Sequence, residues 1–121
     1  MMVGLNACCA LYTEDGLWFV QGLSPILNYY DWKRKKVIKS VAIKDGNLQG
    51  TAYYSDMFLF DDEIILIPNN SDKIMRYDVI NDSFVSINLG VKPVNAYKNC
   101  YRVNDILYCM PYRSNNIILY D

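Results

Sequence analysis

Short apolar runs separated by polar turns recur along the whole chain. Three windows align without a gap, namely DGLWFVQGLSPILNYYD (15–31), DEIILIPNNSDKIMRYD (62–78) and DILYCMPYRSNNIILYD (105–121). Each window carries an apolar run of four or five residues, rich in β-branched and aromatic side chains, that ends in a turn of Gly, Pro, Asn and Ser. Such runs predict β-strands that are buried on both faces, with sheets stacked on either side.

The windows also indicate a repeat. Their first residues lie 47 and 43 positions apart, which is a period typical of repeated supersecondary units. Because the shared residues open a strand, shape a turn or end a strand, we expect them to be structural. The positions that are identical in all three copies are Asp15/Asp62/Asp105, Ser24/Ser71/Ser114, Tyr30/Tyr77/Tyr120 and Asp31/Asp78/Asp121.

Further strands complete each unit. A strand is predicted before each window, and another after each of the first two, so that a full unit holds four antiparallel strands. The predicted first strands are 7–12, 53–60 and 97–103, and the predicted outer strands are 36–43 and 84–89. The chain is expected to be one domain, 1–121, with units at about 4–46, 50–90 and 93–121, the third lacking its outer strand.

Four antiparallel strands in a repeat of this length resemble the blades of the β-propeller superfamily, loosely the kelch-like and WD-like repeats. The pairs Tyr30-Asp31, Tyr77-Asp78 and Tyr120-Asp121 stand where a WD-type repeat carries Trp-Asp. The Gly-His element of that family and the Gly-Gly doublet of kelch repeats are absent, so the resemblance assigns no specific family. It implies an all-β fold, an incomplete β-propeller of about two and three-quarter four-stranded antiparallel blades.

This blade count predicts an open ring, because propellers close with about 4 to 8 blades. Three alternatives remain: a fragment of a longer propeller, a unit that completes a ring with copies of itself, or an open stack of sheets. In each, the outer faces of the first and third blades should leave apolar surface uncovered. Such surface invites self-association through the exposed blade faces.

Composition narrows the function. The net charge is −1, with 12 Lys and Arg against 13 Asp and Glu, so no global field attracts nucleic acid or an anionic membrane, and neither is expected as a partner. The chain has no histidine, which excludes Ser-His-Asp and Cys-His machinery within it. The N-terminal segment lacks a basic region and a long apolar run, which predicts a cytoplasmic protein without a signal peptide or membrane span.

Metal and cofactor sites are not predicted. The acidic turns 14–15, 61–63 and 104–105 lack the spacing of a calcium loop and indicate solvated hairpin turns. The basic cluster 33–36 likewise indicates an exposed turn. Cysteines 8, 9, 100 and 109 form no C-x-x-C pair; they indicate reduced thiols, with the adjacent Cys8 and Cys9 on opposite faces of a strand.

The candidate binding site lies at the loop end of the propeller, where turns between blades and between the second and third strands gather. Polar groups there can hydrogen-bond a sugar or a peptide, with a tyrosine ring as a stacking surface. The same Asn, Ser and Pro residues also serve to make turns. The candidate residues are Asn69, Asn70, Asp72, Tyr112, Arg113 and Asn115.

The leading functional hypothesis is therefore a non-enzymatic binding scaffold that recognises a protein or a carbohydrate. One alternative is a fragment of a propeller glycoside hydrolase or lyase, which requires Asp56 to face another acid at about 5 to 10 Å. The other alternative is a self-assembling structural module. No cofactor is expected in any of the three.

Overall fold

The computed structural model describes residues 7–21, 24–44, 53–69, 71, 73–89, 97–111 and 118–120. Within these ranges the regular structure is entirely β, and no helix is long and apolar enough to cross a membrane. The strands are β1 (Ala7–Tyr12), β2 (Gly16–Gln21), β3 (Ile26–Asp31), β4 (Lys36–Ala42), β5 (Tyr54–Phe60), β6 (Glu63–Pro68), β7 (Lys73–Asp78), β8 (Ser83–Asn88), β9 (Tyr97–Val103), β10 (Ile106–Pro111) and β11 (Ile118–Tyr120).

The strands form three antiparallel meanders, each made from consecutive strands. The first sheet has the order β1-β2-β3-β4, the second β5-β6-β7-β8, and the third β9-β10-β11. The first strands of neighbouring sheets, β1, β5 and β9, lie side by side. This arrangement confirms the predicted strands and the predicted blade order within the described part of the chain.

Acidic and amide residues close the turns, as their repetition predicts. Asp31 accepts a hydrogen bond from the Arg34 amide at 2.7 Å, and Asp78 accepts from the amides of Ile80 and Asn81 at 2.9 Å. These are Asx-type turns, in which the carboxylate replaces a backbone acceptor. The conserved spacing of the Asp therefore has a local structural cause in the first two sheets.

The shared Ser and Tyr positions differ from copy to copy. Ser71 is fully buried and its Oγ accepts a hydrogen bond from the Lys73 amide at 3.2 Å, which agrees with a turn-forming role. Tyr77 is fully buried between the first two sheets, whereas Tyr30 is only half-buried. Ser114 and the side chain of Tyr120 lie outside the described residues.

The second sheet is covered on both faces. Ile64 and Leu66 pack against the first sheet, beside Trp18 and Val20, while Ile65 and Ile67 pack against the third sheet. All four residues of the run 64–67 have no exposed surface. The prediction of a strand buried on both faces is confirmed here.

In the third sheet the prediction of burial on both faces is wrong. Leu107 and Cys109 are buried against the second sheet, but Ile106, Tyr108 and Met110 alternate with them and remain partly exposed. The register places Tyr101 opposite Tyr108, so both lie on the outward face of this sheet. The alternation arises because the described residues provide no fourth sheet to cover that face.

The outward faces carry uncovered apolar residues, as expected. On the third sheet Tyr101, Val103 and Leu119 are 58%, 54% and 65% exposed. On the first sheet Tyr12 is 74% exposed, although Phe19 at the centre of the same face is 4% exposed. The third sheet therefore offers the more open apolar surface.

Candidate functional site

The residues predicted for the loop end fall mostly where the structure gives no description. Asn69 is half-buried directly after β6, and its amide donates a hydrogen bond to the Tyr53 carbonyl oxygen at 2.8 Å. That backbone bond fixes the path of the turn and is compatible with a structural role. The other five candidates, Asn70, Asp72, Tyr112, Arg113 and Asn115, lie outside the described residues.

A groove lies between the outer strands of the first and second sheets. Its volume is about 360 Å³, and it is bounded by the end of β4 on one side and by β7 and β8 on the other. Apolar side chains form its inner part and polar groups its rim. The apolar residues are Val41, Met75 and Phe84, and the polar residues include Lys44, Asp82 and Ser86.

Three side chains join the two sheets beside this groove. Lys39 Nζ lies 3.3 Å from Asp82 Oδ1 and 5.5 Å from the centroid of the Tyr77 ring, and the Tyr77 hydroxyl donates a short hydrogen bond to the same Asp82 oxygen. We call this group the Lys39–Tyr77–Asp82 clasp. It links β4 to the β7–β8 turn at one end of the groove.

The clasp also fixes the charges at the groove. The Tyr77 hydrogen bond holds the pKa of Asp82 below its usual range, and the interaction with Tyr77 raises the pKa of Lys39. Burial raises the pKa of Tyr77, so its hydroxyl stays neutral. At neutral pH the groove therefore has an anionic group, a cationic group and a neutral phenol at one end.

Strand edges border the groove on both sides. In the described sheets, β4 and β8 each pair with a neighbour on one side only. An edge strand presents backbone amide and carbonyl groups to which an extended peptide can add. An apolar groove beside such edges can accept side chains of a segment that runs along it.

A second, more open cavity lies at the turns of the first sheet. Its volume is about 490 Å³, and its lining combines acidic turn residues with the exposed indole of Trp32. Trp32 Nε1 donates a hydrogen bond to the Thr13 carbonyl oxygen at 3.1 Å. Asp31 forms an ion pair with Arg34. No cluster of three metal-ligating side chains occurs there or elsewhere in the described ranges.

Cysteines 8 and 9 correct one expectation. A β-bulge inserts Cys8 between the pairs Ala7–Gln21 and Cys9–Val20, so both thiols turn toward the core between the first two sheets. The expected opposite orientation is wrong because a bulge adds a residue without changing face. The hydrogen bond between the two thiols lowers the pKa of Cys8 to about 7 and raises that of Cys9.

Asp56 lies on β5, between the cysteines of the first and third sheets. Burial raises the pKa of its carboxyl. The partner thiols and burial raise the pKa values of Cys9 and Cys100, to which the charge of Asp56 adds, and the same charge opposes the lowering of the pKa of Cys109. Its Oδ1 accepts a hydrogen bond from the Met57 amide at 2.8 Å. In the described part of the chain, the groups whose pKa values Asp56 affects are thus thiols.

The groove could not be located from the sequence, because its residues are distant along the chain and the distances between sheets depend on how the sheets twist against one another. The Cys100–Cys109 pair was accessible, since the predicted strand 97–103 and the apolar run from residue 106 are joined by two residues, which sets Cys100 opposite Cys109. The available signal was weaker: Lys39 and Asp82 are polar residues next to apolar strands that a blade model brings close together.

Comparison with known proteins supports the fold. No family model matches the sequence, and a search of curated proteins gives no match either. Among solved structures, the chain is similar to Kluyveromyces lactis Hsv2 (TM-score 0.59, 11% identity, covering 97% of this chain and 33% of that one). It is also similar to a streptogramin B lyase (TM-score 0.68, 13% identity, 96% and 40% covered).

A third similar structure is Myxococcus xanthus glutaminyl cyclase (TM-score 0.59, 9% identity, 93% and 46% covered). All three are β-propellers, and the chain spans less than half the length of each. Identities this low show the fold alone. These structural similarities, together with the three packed antiparallel meanders, show that this chain has the fold of an incomplete β-propeller.

Proposed function

We propose that the chain is a non-enzymatic binding scaffold and that the groove between β4 and β8 binds an extended segment of a partner protein. The observation that carries the proposal is the groove itself, a recess lined by apolar residues together with charged and hydroxyl side chains, beside two strand edges. Side grooves of this kind give affinity through backbone pairing and specificity through pockets for alternate side chains.

The lining defines the ligand chemistry. Val41, Met75 and Phe84 favour an apolar side chain of the ligand, and Lys44 at the exposed rim favours an acidic residue next to it. Asp82 already engages Lys39 and Tyr77, so Lys44, which forms no ion pair with a described residue, sets the sign of the preference. A carbohydrate fits this groove less well, because the Phe84 ring already packs against Tyr77, with ring centroids 4.7 Å apart.

Selection from a random peptide library on the purified chain tests the proposal. Enriched peptides are expected to combine an apolar residue with an acidic one. Lys44→Glu should weaken binding of those peptides at least tenfold, whereas Lys36→Glu, the same charge change at the other end of β4, should leave it unchanged. Equal binding by both variants would show that the groove is not the site.

The predicted loop end remains a second location for the same function. Replacing Asn69, Tyr112 and Arg113 together by alanine separates the two sites. Loss of peptide or glycan binding in this triple variant, with normal binding by Lys44→Glu, would place recognition at the loop end. A glycan array on the same variants distinguishes a carbohydrate from a protein ligand.

The enzyme alternative has less support from the described residues. Two of the similar structures are a lyase and a cyclase, but one fold hosts unrelated functions. A glycosidase mechanism needs two carboxylates on one cleft. Asp56, the acid that could supply one of them, lies beside thiols instead, and its negative charge disfavours their ionisation.

We also propose self-association through the outward face of the third sheet, with a second copy of the chain as occupant. Tyr108 and Met110 occupy the repeat positions of Trp18 and Val20, and of Ile65 and Ile67, which accept the next sheet within the chain. Their face therefore has the side-chain pattern that this protein already uses for sheet-on-sheet packing.

A further inference from the structure

The register of the third sheet brings two cysteines directly opposite each other. Cys100 on β9 pairs with Cys109 on β10, and the hairpin closes at Val103 and Ile106 with a two-residue turn. A two-residue turn makes its closing pair hydrogen-bonded, and hydrogen-bonded and non-hydrogen-bonded pairs then alternate along the ladder. Three steps from the closing pair, Cys100 and Cys109 occupy a non-hydrogen-bonded position.

That position suits a covalent bond between the thiols. In non-hydrogen-bonded pairs the Cα atoms are about 4.5 Å apart and the side chains approach closely. A disulfide spans Cα separations of about 4.4 to 6.8 Å. No register shift separates these cysteines from the turn, since the irregularity of this ladder lies beyond them, between Met110 and Pro111.

The surroundings hold both side chains on one face. Cys109 is fully buried in the core between the second and third sheets, and Cys100 is half-buried and packs against the same core. Both thiols are free, and the interaction with Cys100 lowers the pKa of Cys109. The pair is therefore preorganised, and one of its members remains within reach of solvent.

The other cysteine pair provides an internal contrast. Cys8 and Cys9 are also in contact, but they are adjacent in the chain. Consecutive Cα atoms lie about 3.8 Å apart, below the separation at which disulfides usually form. The contact between Cys8 and Cys9 therefore does not favour a disulfide, although it joins two thiols just as the contact between Cys100 and Cys109 does.

We propose that Cys100 and Cys109 form an oxidation site, in which a peroxide converts the two thiols into a reversible disulfide across β9 and β10. Solvent takes the proton of the Cys100 thiol, the Cys100 sulfur attacks one peroxide oxygen, and the O–O bond breaks. Cys100 becomes a sulfenic acid, and the departing hydroxide takes up that proton and leaves as water. The Cys109 thiolate then attacks that sulfur, and the S–O bond breaks with release of a second water. Two thiols lose two electrons, and the peroxide is reduced to water.

The roles follow from exposure and charge. Cys100 is the thiol that solvent reaches, so the oxidant meets it first. The interaction with Cys109 and burial raise the pKa of Cys100, so its thiolate is the minor form and the first step becomes faster as the pH rises. The hydrogen bond from Cys100 lowers the pKa of Cys109, which favours its thiolate as the resolving nucleophile. Burial and the charge of Asp56 oppose this lowering of the Cys109 pKa. They slow the reaction but leave the two sulfur atoms in position for it.

Peptide mapping after mild oxidation tests this site. The folded chain is treated with hydrogen peroxide, free thiols are alkylated, and the protein is denatured and cut with trypsin. The expected product links peptide 99–102 to peptide 103–113, because Arg102 separates the two cysteines, and a thiol reductant releases both. Peptide 1–33, which holds Cys8 and Cys9, should be recovered without a link to either peptide; oxidation there is expected at Cys8, whose pKa is lowered to about 7, without joining the two halves of the β9–β10 hairpin.

Two controls keep the test decisive. Cys8→Ser with Cys9→Ser should form the 100–109 link at an unchanged rate, whereas Cys109→Ser should leave Cys100 as sulfenic or further oxidised acid without a link. Oxidation in denaturing guanidinium chloride should mix the pairings. The proposal fails if the folded chain keeps all four thiols alkylatable, or if links between residues 8 or 9 and residues 100 or 109 predominate.

Discussion

Lys39 and Asp82 connect the first sheet to the second, with Lys39 Nζ 3.3 Å from Asp82 Oδ1 and the buried Tyr77 hydroxyl donating to the same oxygen. The ion pair itself is largely exposed, and exposed pairs contribute little to stability. The Tyr77 hydroxyl differs, because it is buried with its ring and has Asp82 as its acceptor. The clasp therefore links stability to the protonation of Tyr77.

Alkaline unfolding should reveal this link. The pKa values of Tyr77 and Lys39 are both raised in the folded state, above the ordinary 10.0 and 10.5. Their contribution is present below about pH 10 and is lost as the pH rises through the folded values. We expect the urea midpoint to fall above about pH 10, and to fall less in Tyr77→Phe.

The matched control is Tyr12→Phe, the same chemical change at a highly exposed tyrosine. Its alkaline profile should match that of the unmodified chain, and Tyr77→Phe should also lower the midpoint at neutral pH because Asp82 loses a donor. Identical profiles for the two variants would show that the Tyr77 hydroxyl does not couple to folding.

Acid should weaken the second sheet through its turn. Hydrogen bonds from the backbone and side chain of Asn81 lower the pKa of Asp78, so the folded value lies below 3.8. A lowered carboxyl pKa contributes stability above the unfolded value, which is lost as the pH falls through the folded one. Urea midpoints should be constant near neutral pH and decrease below about pH 4.

In Asp78→Asn the neutral-pH midpoint should be lower and its decrease in acid smaller, since the charged acceptor is gone. Asp105→Asn, at an exposed acid in the turn between β9 and β10, serves as the control and should retain the acid dependence. If the urea midpoint of Asp78→Asn decreased in acid as much as that of the unmodified chain, the Asp78 carboxylate would not be the group responsible.

Gly16 is fixed by a close approach of β3. A Cβ at this position would lie 2.6 Å from Cζ and Oη of Tyr29, and closer still to the Tyr30 carbonyl oxygen, which belongs to the paired strand. We expect Gly16→Ala to lower the free energy of unfolding by about 1–3 kcal/mol through overpacking. Val85→Ala, at an exposed position of β8, should change it by less than about 0.5 kcal/mol. Chemical denaturation followed by tryptophan fluorescence measures both free energies. If Gly16→Ala left the free energy of unfolding unchanged, β3 would have shifted away from the added methyl group without cost.

The outward face of the third sheet should drive self-association. Static light scattering over a range of concentrations should show an apparent mass that rises in the unmodified chain. The double variant Tyr101→Glu with Val103→Glu should remain closer to a monomer. Ile80→Glu with Val85→Glu places the same charges on exposed apolar positions of the second sheet and should not suppress association. Equal masses in both double variants would exclude the third-sheet face.

Much of the fold was predictable because it depends on local signals. The Asp residues at the turns, the apolar runs and the period placed β1 and β9 at their observed bounds and set the order of strands. An uncovered apolar face on the third sheet followed from counting sheets, and Tyr101 and Val103 lie on that face. The bulge at Cys8 was not predictable, since a single extra residue leaves no mark on an apolar strand pattern.

The candidate site was less predictable than the fold. Loop residues such as Asn69 were selected for polarity, which turns and ligands require alike. The groove at Phe84 and Lys44 depends on the separation of two sheets, and the clasp on a contact between Lys39 and Asp82 that no local pattern encodes. Sequence reasoning identified the blades but not the space between them.

The unequal coverage of the three sheets implies a gradient of amide hydrogen exchange. The run 64–67 in β6 has sheets on both sides, so its amides should exchange only with global unfolding. Amides of β10 have one covered face and should exchange through smaller openings that release the third sheet alone. In a stack where each unit contacts only its neighbours, opening proceeds from the end inward, and β6 is the last strand to lose its protection.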